Sequence, residues 1–144
     1  MQGCMPISYT IEIAKRVVHT RAWGVLCNAD LRDYYRALMA DLRFLPDLSC
    51  LLNLEGVNVF ALESRVIAEI ASWPVFNVGV RRAIVAPSDV AFGLSRMFSL
   101  HAESAGQNVM AFRNEVAAEA WLSSPTDVGQ VPARLPCGNY MRVA

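Results

Sequence analysis

Pro87, Ser88 and Asp89 lie in the stretch RRAIVAPSDVAFGLSRMF (81–98), where a short apolar run stops and a helical pattern begins. That outline is a strand, a tight turn and the start of a helix. In open α/β sheets ligands gather at the carboxyl ends of strands, and the free N–H groups of a helix start suit an anion. The same residues also serve plain architecture, because Ser88 or Asp89 as helix cap contributes about 1 kcal/mol. The stretch holds neither G-x-x-x-x-G-K-[ST] nor G-x-G-x-x-G, so capping is the preferred reading. Gly93 costs its helix about 1 kcal/mol relative to alanine. It is expected to allow a close approach, by packing within the fold or by a second subunit or ligand. Arg96 follows it in the same helix.

The other chemistry-bearing residues form no constellation in the sequence. His19 and His101 are far apart, and neither has an acid or thiol neighbour at a useful spacing. Cys4, Cys27, Cys50 and Cys137 form no C-x-x-C pair and have no histidine at metal-ligand spacing. No metal site and no cofactor are therefore expected. There is no G-x-S-x-G elbow and no identifiable catalytic base, so the chain reads as a non-enzyme. Cys27 and Cys50 are expected as small hydrophobes in packed regions.

The elements that must position these residues are legible from period and composition. The chain has 144 residues, 54% hydrophobic and 18% charged, enough for one domain with a buried core. Thirteen basic and thirteen acidic residues balance to zero, and no basic excess suggests nucleic acid. No apolar run approaches the length of a membrane span. With no signal peptide read at the start, a reduced, cytoplasmic setting is expected, with Met1 or Met5 as the natural start.

ISYTIEI alternates, with Ile7, Tyr9, Ile11 and Ile13 on one face. RVVHTRAW follows at once, so the pair reads as an antiparallel hairpin. NADLRDYYRALMADLRF turns to helical spacing through Leu31, Tyr34 or Tyr35, Leu38 and Leu42, with Asn28 as cap and Pro46 as stop. One of the two tyrosines is expected in the core, and the other at the flank or surface beside Arg36. CLLNLEGV, RRAIVAP and NVMAFR read as interior strands. Between and after them come helices in LESRVIAEIASW, SDVAFGLSRMFSLHAES and NEVAAEAWL. In the third helix of the chain Val90, Leu94, Met97 and Phe98 are expected to face inward. Trp23, Trp73 and Trp121 each end an element and are expected to pack on the core. The order β-β-α-β-α-β-α-β-α implies α/β architecture: one mixed five-stranded sheet, an opening antiparallel hairpin followed by parallel β-α units, with four helices. Residues 1–122 form this domain. From 123 to 144 the period fails. That stretch is either a loose tail or a segment wrapping its own domain or a neighbour, anchored by Val131, Leu135, Tyr140 and Met141.

LLNLEGVNVF resembles the LDLSGVTFID stretch of STAS domains of the anti-sigma-factor antagonist type, also called SpoIIAA-like. GVRRAIVAPSDVAFGLSRMF and the terminal EAWL resemble a bacterial branch of small STAS-like proteins of unassigned activity. The resemblance covers residues 5–122 and implies a fold shared with CRAL-TRIO lipid-binding domains. The family's phosphoacceptor serine lies in a D-S-S-G-like segment after the LDLSGV strand. Here that segment is VFALES, with Ala61 where the aspartate would fall and Leu62 and Glu63 at the serine positions; Ser64 is out of register. The fold carries over and the phosphorylation switch does not. Glu63 puts a fixed negative charge near the missing phosphate, although an acid at a helix start is favourable on dipole grounds alone.

Two functions are expected on this basis. One is a regulatory module acting through protein contacts, as a homodimer or with a regulatory partner. The other is a carrier of an apolar or acidic small ligand. Either would use the surface of Gly56, Asn58, Phe60, Glu63 and Ser64 together with Ser88, Asp89, Gly93 and Arg96.

Overall fold

The computed structural model describes residues 6–124. Strand β1 (Ile7–Glu12) and strand β2 (Val17–Cys27) form the opening hairpin, followed by helix α1 (Asn28–Ala40) and strand β3 (Ser49–Ala61). Helix α2 (Ser64–Ala71), strand β4 (Arg81–Val85), helix α3 (Asp89–Ser104), strand β5 (Asn108–Phe112) and helix α4 (Glu115–Ser123) complete the chain. The sheet order is β1-β2-β3-β4-β5, antiparallel between β1 and β2 and parallel thereafter. This is the mixed sheet with four helices that the hydrophobic periods require. Of the 123–144 stretch, Ser123 closes α4 and Ser124 caps it. Cys4, Cys137, the two candidate starts and the proposed tail anchors lie outside the described residues.

The sheet has two unlike faces. Val18, Leu26, Leu52 and Ile84 pack with α1, α2 and α3 in one continuous core, whose centre includes Leu38 and Val66 at 0% exposure. On the other face, Val17, Leu51, Ala83 and Val85 pack with Ala118 of α4, bordered by Trp121 and Leu122. The outer positions of β1 and β2 beside that smaller core remain largely exposed: Ser8, Thr10, Arg21, Trp23 and Val25. Alternation along β1 places Ile7 inward and Ser8 outward, as its two-residue period demands.

Several local expectations are corrected. Helix α1 stops at Ala40, before Pro46, so Leu42 lies beyond it and is 99% exposed. Cys27, not Asn28, caps α1, and Asp30 Oδ2 accepts from both the Cys27 N–H and its thiol at 3.0 Å. Tyr34 and Tyr35 are both buried, because Tyr34 packs edge-on against Tyr9 of β1 and bonds to Thr20 of β2 while Tyr35 meets Arg82 of β4; their ring centroids are 4.7 Å apart. Ile13 falls in the hairpin turn and is exposed. Trp23 lies mid-strand and is also exposed, not packed on the core. β5 is an edge strand with alternating, partial burial, not an interior one. His19 does have an acid partner: its Nε2 is 3.1 Å from Glu12 Oε1, because the hairpin folds Glu12 back beside it.

Candidate functional site

Strand β3 is long because two irregularities let it outrun β2. The register shifts between Arg21 and Trp23 and again between Gly24 and Val25, each time giving β3 an extra residue. The first shift has a local cause. Asn53 is buried, and its Oδ1 accepts the Glu55 N–H at 2.8 Å while its Nδ2 donates to Glu55 Oε1 and, at 3.4 Å, to Glu115 Oε1 of α4. A side chain that binds the backbone two residues on competes with the ladder and favours a bulge. Beyond it, Gly56 lies opposite Trp23, where an added β-carbon would meet Ala22 O and Trp23 Cβ at 3.0 Å. Gly56 is thus the glycine that permits close approach.

Gly93, assigned that role from the sequence, does not have it. A β-carbon there would meet nothing within 4 Å, and the residue is exposed. The buried stripe of α3 runs through Ala91, Ser95, Phe98 and Ala102, with Leu94 and Met97 at its half-buried flank. Val90 is 62% exposed, against expectation, because it falls outside that stripe.

The two strand–helix junctions differ in construction. At the second, Ser88 caps α3 and its Oγ accepts the Ala91 N–H at 3.1 Å. Asp89 is exposed and pairs with Arg113 at 2.9 Å. At the first, Glu63 is the N-cap of α2 but its side chain makes no cap bond. It pairs instead with Arg65 at 2.7 Å, and the Glu63 N–H donates to Asn28 Oδ1 at 3.1 Å, tying β3 to the start of α1. Ser64 opens α2 and is exposed, as are Asn58 and Arg96.

Between these junctions lies an apolar pocket of about 50 Å³. Ala22, Leu26, Leu52, Leu54 and Ile84 of the sheet form its wall, and Leu31, Tyr35 and Ile67 close it from α1 and α2. Leu94, Ser95 and Phe98 supply the α3 side. Phe60, Leu62 and Leu94 are the half-exposed lining residues and mark its mouth. Of the surface residues expected from the sequence, only Phe60 lines the pocket. The others surround the junctions as caps, ion pairs or exposed positions, and the structure does not gather them into one constellation.

Beneath Tyr35 and Phe98 sits a residue that sequence reading passed over as part of an apolar run. Arg82 is 5% exposed, with its guanidinium 4.4 Å from the Phe76 ring centroid and 5.5 Å from that of Phe98. It donates to Gln107 Oε1 at 3.2 Å and to the Tyr35 hydroxyl at 3.1 Å. Aromatic faces and neutral oxygens therefore hold this cation, and among the described residues no carboxylate pairs with it. Burial pushes the Tyr35 phenol up, with the Arg82 charge opposing. Burial likewise pushes the Cys50 thiol up, with the Arg82 charge opposing. The described residues contain no group of three His, Cys, Asp or Glu side chains able to hold a metal ion. None of the described helices is long and apolar enough to cross a membrane.

Ser95 is the pocket residue most easily missed. Its signal was present, since a serine falls on the buried stripe of α3 at spacings of four from Ala91 and three from Phe98. It was overlooked because the stripe was placed one position away, on the larger side chains.

No protein-family model matches the chain, and no curated protein matches its sequence. The architecture is similar to a crystal structure from Shewanella loihica PV-4, described as an uncharacterised protein of the DUF3478 family with a SpoIIAA-like fold. The TM-score is 0.54 at 15% identity, covering 85% of this chain and 98% of the other. With its five-stranded mixed sheet and four helices, this chain has a SpoIIAA-like α/β fold.

Proposed function

We propose that this chain is a non-catalytic binding module that takes a small apolar molecule into the pocket between the β3–α2 and β4–α3 junctions. The observation that carries this reading is the pocket itself: an apolar cavity whose mouth is lined by half-exposed Phe60, Leu62 and Leu94. Concave, mainly apolar clefts at the carboxyl ends of sheet strands are the usual place for ligands in α/β folds. Native mass spectrometry of freshly purified protein is expected to retain a ligand mass, and apolar compounds are expected to raise the melting temperature. Absence of both effects would overturn the reading.

A second reading is carried by a separate observation. Trp23, Val25 and Val59 are 41%, 55% and 52% exposed, and Val25 pairs with Val59 across the strands. Large apolar side chains grouped on a sheet face that no described helix covers suit a protein partner. On this reading the module acts through contacts with a regulatory protein or as a homodimer. Light scattering coupled to size exclusion tests the dimer, and a monomer at high concentration would remove it.

A further inference from the structure

We infer that Ser95 is the polar anchor of the pocket and that the ligand's buried end is a neutral oxygen, a hydroxyl or carbonyl, on a slim aliphatic chain. The inference rests on the apolar-ligand reading and refines it. Ser95 is 3% exposed and lines the pocket. Among the described residues its hydroxyl makes no hydrogen bond. The contrast within the same helix is direct: Ser99 Oγ donates to the Arg96 carbonyl at 2.8 Å, and Ser104 Oγ to the Leu100 carbonyl at 3.4 Å. Helical serines readily bond back to their own backbone, so an unpaired one in a buried wall calls for an explanation.

Alanine at this position would remove the unpaired hydroxyl and improve helix propensity. The serine therefore works against the stability of the empty protein. A hydroxyl without a hydrogen bond in a mainly apolar wall is what a pocket uses to orient one polar atom of a ligand. The other hydroxyl in the lining, that of Tyr35, already accepts from Arg82. Among the described residues no charged side chain lines the pocket, and the Arg82 guanidinium beneath Tyr35 and Phe98 is taken up by Gln107 Oε1, the Tyr35 hydroxyl and the aromatic rings, so a carboxylate beside Ser95 would be buried without a partner. That narrows the ligand from apolar or acidic to neutral. The volume of about 50 Å³ holds the end of a chain and not a ring system, with the remainder leaving past Phe60 and Leu62.

The test compares 1-butanol with 1-chlorobutane, which is similar in length but lacks the hydroxyl, on the wild-type chain and on Ser95→Ala. Amide chemical-shift titrations supply the dissociation constants. Ser95→Ala is expected to shift the ratio of the two constants against 1-butanol by roughly 2- to 12-fold, the net worth of one hydrogen bond. The ligand-free variant is expected to melt above the wild type. If both compounds bind and their ratio is unchanged, the anchor is overturned while the apolar pocket stands. If neither compound shifts the Leu94 and Ser95 amides, the pocket reading fails as well. A variant that melts below the wild type would mean that the hydroxyl is partnered in the free protein, which also overturns the inference.

Discussion

The two strand–helix junctions at the carboxyl edge of the sheet look alike in sequence and are built in opposite ways. Each is a strand followed by a link of two or three residues and a helix with a serine at or just before its start. At β4–α3 the joint is tight: the strand ends at Val85, Ser88 caps the helix, and Gly93 stands in open space. At β3–α2 the strand runs on past two bulges, the helix starts without a side-chain cap bond, and Gly56 is pressed against β2. The difference teaches that a glycine or a serine takes its meaning from the neighbouring chain, not from the pattern around it.

Substitutions can break this contrast. The largest effect is expected for Gly56→Ala. Its new methyl group would meet the Ala22 carbonyl oxygen and Trp23 Cβ at 3.0 Å, and forcing two strands apart costs about 1–3 kcal/mol. Urea unfolding measures it, and a wild-type midpoint would show that the strands separate freely. Ser88→Ala comes next, with a loss of about 1 kcal/mol from the orphaned Ala91 N–H. Gly93→Ala should go the other way, raising stability by up to about 1 kcal/mol, because the site is helical and unobstructed. A drop in its melting temperature would restore the close-contact role that the sequence suggested. Glu63→Ala is expected to change stability by no more than about 0.5 kcal/mol, since its ion pair with Arg65 is exposed. A loss as large as that of Ser88→Ala would mean that the two caps are equivalent after all.

The fold was legible because the signals that define it are local. The alternation in ISYTIE, the helical period of the α segments and the Ser88 cap are each readable within a dozen residues, and the structure bears them out, although the buried stripe of α3 lies one position from where the period put it. The site was less legible. Phe60 was named, but Leu26, Tyr35 and Ser95 were not, because they come from three elements that meet only when the sheet is assembled. Asn53 offered a clue in hindsight: an amide inside an apolar strand is tolerated when it pins a bulge. Arg82 gave none, since nothing adjacent in the chain announces the rings of Phe76 and Phe98 that enclose it.

By itself the sequence determined the order of elements, the hairpin, and the parallel pairing that helical crossovers impose. These follow from side-chain period and from the length a chain needs to reverse direction. Only the tertiary structure decided which glycine is crowded, which half of the sheet stays open, and where a buried hydroxyl lacks a partner. Those properties depend on distances between residues remote in the chain. Packing fixes such distances only after every element has found its place.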